Sequence, residues 1–274
     1  MKKILIAFDG VQFSEGAFEF AKKLNELNPV FVAGVFMPQT SYASLWNYSA
    51  SMTDTLIVPI TDDPEGLKLE HNIERFRQLC VENKIAFSIH KDFNDFALPE
   101  LKRETRFADL LIISSEKFFE KLTGGKSSEY LRDAIHEAEC PVIVIPEKFD
   151  FPKQNVIAFD GSPSSVHAMK QFAYLFPELC ENETLLVYSK EGEDSTLPNE
   201  EYAEELAALH FKNFGILKLK FKPEKYFNSW LKDANSPILV CGAFGRSAWS
   251  EMFKKSFVSE IIADHRLPVF ITHL

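Results

Sequence analysis

Ile6-Ala7-Phe8-Asp9-Gly10 recurs 151 residues later as Ile157-Ala158-Phe159-Asp160-Gly161, with Ser14 and Ala17 matched by Ser165 and Ala168 at the same offset. In each copy an apolar run meets an Asp-Gly turn and then a serine-led amphipathic stretch, the pattern of strand, turn and helix. The copies also end alike, at Cys140-Pro141-Val142-Ile143-Val144-Ile145-Pro146 and Leu267-Pro268-Val269-Phe270-Ile271-Thr272. From aspartate to proline the first copy spans 132 residues and the second 108, so the second is shorter by 24.

Between these landmarks the first copy has strand-like runs at Val30–Phe36, Ile85–Ile89 and Leu110–Ile113, and helical patterns at Gly66–Asn83, Leu98–Thr105 and Glu129–Ala138. The second has strand-like runs at Thr184–Tyr188, Leu217–Phe221 and Ile238–Cys241, with helices near Glu200–Asn213, Tyr226–Lys232 and Phe257–Asp264. Strands that are continuously apolar and alternate with helices imply a parallel sheet covered on both faces. The expectation is an α/β chain of two doubly wound, parallel, five-stranded domains, 1–148 and 152–274, joined by Phe149-Asp150-Phe151-Pro152. Segment 37–64, rich in Ser, Thr and aromatics, interrupts the first copy as a lid, a partner surface or a tolerated insertion.

The chain has 274 residues, 46% of them hydrophobic, with 26 Phe and only 11 Gly, enough apolar material for sizeable cores. A formal charge of −10 leaves no electrostatic footprint for nucleic acid and disfavours anionic membranes. The four cysteines lack C-x-x-C spacing, and the N-terminus runs into a charged turn rather than a long apolar segment. These features predict a cytoplasmic protein with reduced thiols. Seven histidines show no metal-ligand spacing, so no metal site is expected.

Thr123-Gly124-Gly125-Lys126-Ser127-Ser128 invites a phosphate-loop reading. A Walker loop would place its first glycine at position 120, which is Glu, and no strand runs directly into the segment. The segment also resembles the S-G-G-x-D-S loop of ATP pyrophosphatases, but that loop follows the first strand of its domain and this one the fourth. A turn that caps the helix beginning at Glu129 is the simpler reading.

Gly242-Ala243-Phe244-Gly245-Arg246-Ser247, then Lys255-Ser256-Phe257-Val258-Ser259-Glu260 and Leu267-Pro268-Val269, resemble the universal stress protein family. Its nucleotide-binding members carry G-x-x-G, nine residues, then G-[ST] after the fourth strand. Asp160-Gly161-Ser162 and Cys140-Pro141-Val142-Ile143-Val144 fit the same family, and with the duplication the resemblance spans almost the whole chain. It implies the adenine nucleotide alpha hydrolase-like fold, with strand order 3-2-1-4-5 in each copy. It also implies an intrachain pseudo-dimer about a pseudo-two-fold through the fifth strands, Val142–Ile145 and Val269–Thr272, which can itself pair into a homodimer.

The resemblance further implies a stress-response or signalling protein that binds ATP or a related adenine nucleotide, with Mg2+, mainly in the second copy. Asp160 would contact the adenine side. Gly242 and Gly245 would let the backbone approach the phosphates, Ser256 would sit at a helix N-terminus and Arg246 would add charge. Lys255 stands where the family has its third glycine. The first copy departs further, with Ser114-Ser115-Glu116-Lys117-Phe118 leaving its fourth strand and Ser128-Glu129 in place of Gly-[Ser/Thr]. Glu116 and Glu129 would each repel a phosphate.

Each of these residues also has a plain structural reading. Asp9 and Asp160 suit turn aspartates, Gly242 and Gly245 a tight turn, Arg246 a surface ion pair, and Cys140 and Cys241 inert core thiols. No catalytic constellation stands out, so any enzymatic activity is expected to go no further than slow ATP hydrolysis. The alternative function is a scaffold without nucleotide that meets an unidentified protein partner.

Overall fold

The computed structural model describes residues 1–37, 64–91, 97–118, 128–189, 196–220, 231, 234–242 and 257–273. Segment 38–63, the Gly-Gly-Lys at 124–126, most of the helix expected over Tyr226–Lys232, and Gly245, Arg246, Lys255 and Ser256 lie outside the described residues.

The first copy contributes β1 (Lys2–Phe8), β2 (Val30–Phe36), β3 (Ala86–Lys91), β4 (Leu110–Ser114) and β5 (Val142–Ile145). The second contributes β6 (Gln154–Ala158), β7 (Glu183–Ser189), β8 (Asn213–Leu219), β9 (Pro237–Gly242) and β10 (Val269–Thr272). They form one ten-stranded sheet of order β3-β2-β1-β4-β5-β10-β9-β6-β7-β8, so each half reads 3-2-1-4-5 outward to inward. Neighbours within each half are parallel, and the halves meet through antiparallel β5 and β10, with Phe270 opposite Ile143. The two five-stranded sheets are thus continuous. Both fifth strands are buried along their four residues, apolar throughout except for Thr272, and pairing removes an edge that would otherwise be open.

Seven helices flank this sheet among the described residues: α1 (Glu15–Leu27), α2 (Pro64–Glu82), α3 (Ala97–Thr105), α4 (Ser128–Glu137), α5 (Pro163–Leu175), α6 (Glu200–His210) and α7 (Phe257–Ala263). Alternation along the strands sorts the core into two layers. Ile4, Ile6 and Phe8 face α1 and α2, in a layer that continues under α5 and α6. Leu5 and Ala7 face the layer of α3, α4 and α7. Helices α1 and α5 form because Ser14 and Ser162 cap them, accepting from the Ala17 and Ser165 N–H groups, and because Pro163 supplies the preset φ of a first helical residue.

Phenylalanine concentrates where the elements meet. Phe8 stacks on Phe13 and Phe36 at centroid distances of 4.9 and 4.7 Å, with Phe76 of α2 edge-on to Phe8 and Phe36. Phe20 of α1 contacts Phe149 and Phe151 of the connecting segment, which ties that segment to the first half.

Two adjacent elements differ from expectation. The helix from Glu200 ends at His210 rather than Asn213, and the strand after it begins at Asn213 rather than Leu217. Phe211 turns extended and buries its ring, the Lys212 N–H donates to the Cys180 carbonyl at 3.1 Å, and the Asn213 amide donates to the Glu181 carbonyl. These tertiary anchors stop the helix. The half-buried pattern of an edge strand shows neither clean alternation nor a continuous apolar run.

Candidate functional site

In the second half the chain order reverses between β6 and β9, where a doubly wound sheet opens a crevice beyond the carboxyl ends of its strands. Ile157 pairs with Val240, so Phe159 and Gly242 come level two residues on. Asp160 follows Phe159, is exposed, and accepts the Ser162 N–H at 2.9 Å through Oδ1, closing an Asx turn into α5. Gly161 holds φ of +80°, and a Cβ there would lie 2.6 Å from the Pro198 side chain.

Gly242 is required by packing. A Cβ on it would lie 2.2 Å from the Ser164 carbonyl oxygen, because β9 leaves the sheet directly against the first turn of α5. Thr272 pairs with Gly242 across the ladder, and its buried hydroxyl has no hydrogen-bond partner among the described residues. The fold therefore brings Asp160 and Gly242 to one end of adjacent strands, with a polar hydroxyl beside them. In sequence, Ser256 directly precedes the first residue of α7.

The first half uses the same ground differently. Asp9 is fully buried and accepts the Val11 and Gln12 N–H groups at 3.0 and 2.7 Å, which makes it the turn aspartate of its copy. The start of α1 is occupied by an internal anion, the carboxylate of Glu147. Its Oε1 accepts from the Ser14 and Ser114 hydroxyls, each at 2.6 Å, and its Oε2 from the Glu15 and Gly16 N–H groups at 3.0 and 3.4 Å. A carboxylate at a helix N-terminus satisfies orphan donors and the positive end of the helix dipole together.

Glu116, expected to repel phosphate, instead accepts the Glu147 N–H at 2.7 Å. Gly16 permits this closure, since a Cβ there would lie 2.2 Å from the Pro146 carbonyl oxygen. Sequence reasoning passed over Glu147, whose partners stand 31 to 133 residues away. Counted from Pro141 and Pro268, its counterpart in the second copy is Leu274, whose side chain carries no charge. The Ser115 hydroxyl lies 2.8 Å from His265 Nδ1, so the exit of β4 is also fastened to the second half.

The four thiols are free and buried, and burial pushes each up to about 12. They are held as thiols and are poor nucleophiles. Among the described residues no cluster of His, Cys, Asp and Glu could hold a metal, and no helix is long and apolar enough to cross a membrane. A cavity of about 520 Å³ between Leu231, Ser236, Pro237 and Pro268 lies at the amino ends of β9 and β10, away from Gly242.

No protein-family model matches the sequence, and no curated protein matches it. Among solved structures, a universal stress protein from Archaeoglobus fulgidus DSM 4304 superposes with a TM-score of 0.68 at 16% identity, covering 99% of this chain and 98% of that one. A universal stress protein in complex with cAMP aligns at 14% identity over 54% of this chain and 98% of its own, with a TM-score of 0.28, below what a shared fold requires. With both halves in the order 3-2-1-4-5 and joined through their fifth strands, the chain has the fold of a universal stress protein from end to end.

Proposed function

We propose that this chain is a stress-response or signalling protein of the universal stress type, acting in the cytoplasm. It binds ATP or a related adenine nucleotide in its second domain, 152–274, with the first domain, 1–148, as its structural partner. The observation that carries this reading is the asymmetry of the two crevices. Glu147 seats an internal carboxylate on the start of α1, whereas Asp160 is exposed at the matching turn and Gly242 leaves its strand beside a buried Thr272 hydroxyl with no partner among the described residues. Asp160 would meet the base. Gly242, Gly245, Arg246, Lys255 and Ser256 would meet the phosphates, and Mg2+ would arrive bound to the nucleotide.

Isothermal titration calorimetry with ATP and Mg2+ tests the proposal on the wild type, Asp160→Ala and Gly245→Trp. Saturable binding that weakens at least tenfold in both variants is expected. A folded wild type that takes up no nucleotide overturns it.

A second reading, a scaffold acting through a protein partner, is favoured by one surface. Tyr202 and Leu209 of α6 are 75% and 76% exposed, and His210 of the same helix meets the half-exposed Tyr174 ring of α5 at 5.3 Å. Glu201, Glu204 and Glu205 on the same helix make no ion pair among the described residues. Exposed apolar groups among unpaired carboxylates suit a basic amphipathic partner. Failure of nucleotide binding would leave this face as the functional one.

A further inference from the structure

Away from both crevices, Ser88, His90 and Glu104 form one hydrogen-bonded array. Ser88 and His90 stand two apart on β3, so their side chains share a face of the sheet. Glu104 rises to them from the last turn of α3, whose Leu101 packs in the core layer of that same face. His90 Nε2 lies 3.1 Å from Ser88 Oγ, and His90 Nδ1 lies 2.9 Å from each carboxylate oxygen of Glu104. With Glu104 accepting the Nδ1 proton, the lone pair on Nε2 faces the Ser88 hydroxyl. Nucleophile, base and orienting carboxylate thus stand in the connectivity that acyl transfer requires.

The setting suits chemistry as well as connectivity. The His90 and Glu104 side chains are 31% and 17% exposed, held by packing yet reachable from solvent. β3 is an edge of the sheet, so the N–H groups on its outer side face no strand among the described residues. Such donors can hold the charge that develops on an attacked carbonyl oxygen.

We propose that Ser88, His90 and Glu104 form an acyl-transfer site that hydrolyses small carboxylic esters. Ser88 Oγ attacks the ester carbonyl while its proton passes to His90 Nε2. The C–O bond to the alcohol breaks, and the imidazolium returns that proton to the leaving oxygen. Water then attacks the acyl-serine, giving its proton to Nε2, and the acid leaves as Ser88 regains its proton. Glu104 holds the ring and stabilises its charged form throughout.

The test treats the full chain with a biotinylated fluorophosphonate, maps the adduct by peptide mass spectrometry, and follows hydrolysis of p-nitrophenyl acetate. An adduct on Ser88 is expected, absent in Ser88→Ala. Hydrolysis should fall at least 100-fold in Ser88→Ala and His90→Ala, the scale of a lost nucleophile or general base, and at least tenfold in Glu104→Gln, with recovery in Glu104→Asp. Circular dichroism melts of each variant establish that it is folded. A folded wild type that takes no adduct on Ser88, or a Ser88→Ala variant that hydrolyses at the wild-type rate, overturns the proposal. Nucleotide titration of the same variants should be unchanged, because Asp160 and Gly242 lie in the other half.

Discussion

The carboxylate of Glu147 accepts the Ser14 hydroxyl at 2.6 Å across 133 residues of chain, and through it the end of β5 closes the start of α1. One acidic side chain thereby serves four donors at the start of α1 and the exit of β4.

Glu147→Ala leaves the Ser14 and Ser114 hydroxyls and two helix N–H groups without that acceptor. The expected loss is about 1–3 kcal/mol, the usual cost of unsatisfied buried donors. Glu147→Gln, which keeps a carbonyl acceptor but not the charge, should lose less. Urea denaturation monitored by circular dichroism would rank the three proteins, and equal midpoints would refute the ordering.

Gly242→Ala should destabilise the second half by about 1–3 kcal/mol, because its Cβ meets backbone of α5 that cannot turn aside. Gly161→Ala, strained at φ of +80° but facing a proline ring, should cost about 1 kcal/mol or more. Thermal melts of the two variants check both figures.

His167 sits on a cavity of about 210 Å³ between the halves, with Cys140, Gln171 and Thr272. Burial, helped by Lys170, lowers its pKa below the ordinary 6.5. Between that lowered value and 6.5 the unfolded chain binds more proton than the folded one, so stability rises with pH across the window. His167→Gln should flatten this rise, which chemical denaturation at pH 5.0, 5.5, 6.0 and 6.5 would read directly.

All four thiols should resist a thiol reagent at pH 8 in the native protein and react together in urea, because burial holds each near 12. A single fast native thiol would contradict the burial of Cys80, Cys140, Cys180 and Cys241.

Phe270→Ala should cost about 3–5 kcal/mol. Its ring packs against Phe172 and Phe176 at 5.4 and 5.8 Å, on the strand that joins the halves. A two-step urea transition, with the halves melting apart, is the expected signature.

Much of this architecture was legible along the chain. The strand over Val30–Phe36 agrees residue for residue, and those at Leu110 and Ile238 agree to within one residue at each end, because their apolar runs are buried on both sides. The edge strand placed at Leu217 begins at Asn213 instead, and its start was not legible, since one of its sides meets no strand among the described residues and its side chains are only half buried. The order 3-2-1-4-5 came from a family resemblance in Asp160-Gly161-Ser162 and the glycines after β9, rather than from periodicity.

The sequence by itself determined the alternation of strand and helix and the two Asp-Gly turns, because both depend on residues close together in the chain, and the duplication, because it is a repeat of letters that needs no geometry to read. Tertiary structure alone decided that Asp9 is buried while Asp160 is exposed, that Glu147 joins the start of α1 to the exit of β4, and that Ser88, His90 and Glu104 meet. Each of those outcomes depends on groups whose distance in space is set by sheet order and helix packing, and no local pattern encodes that distance.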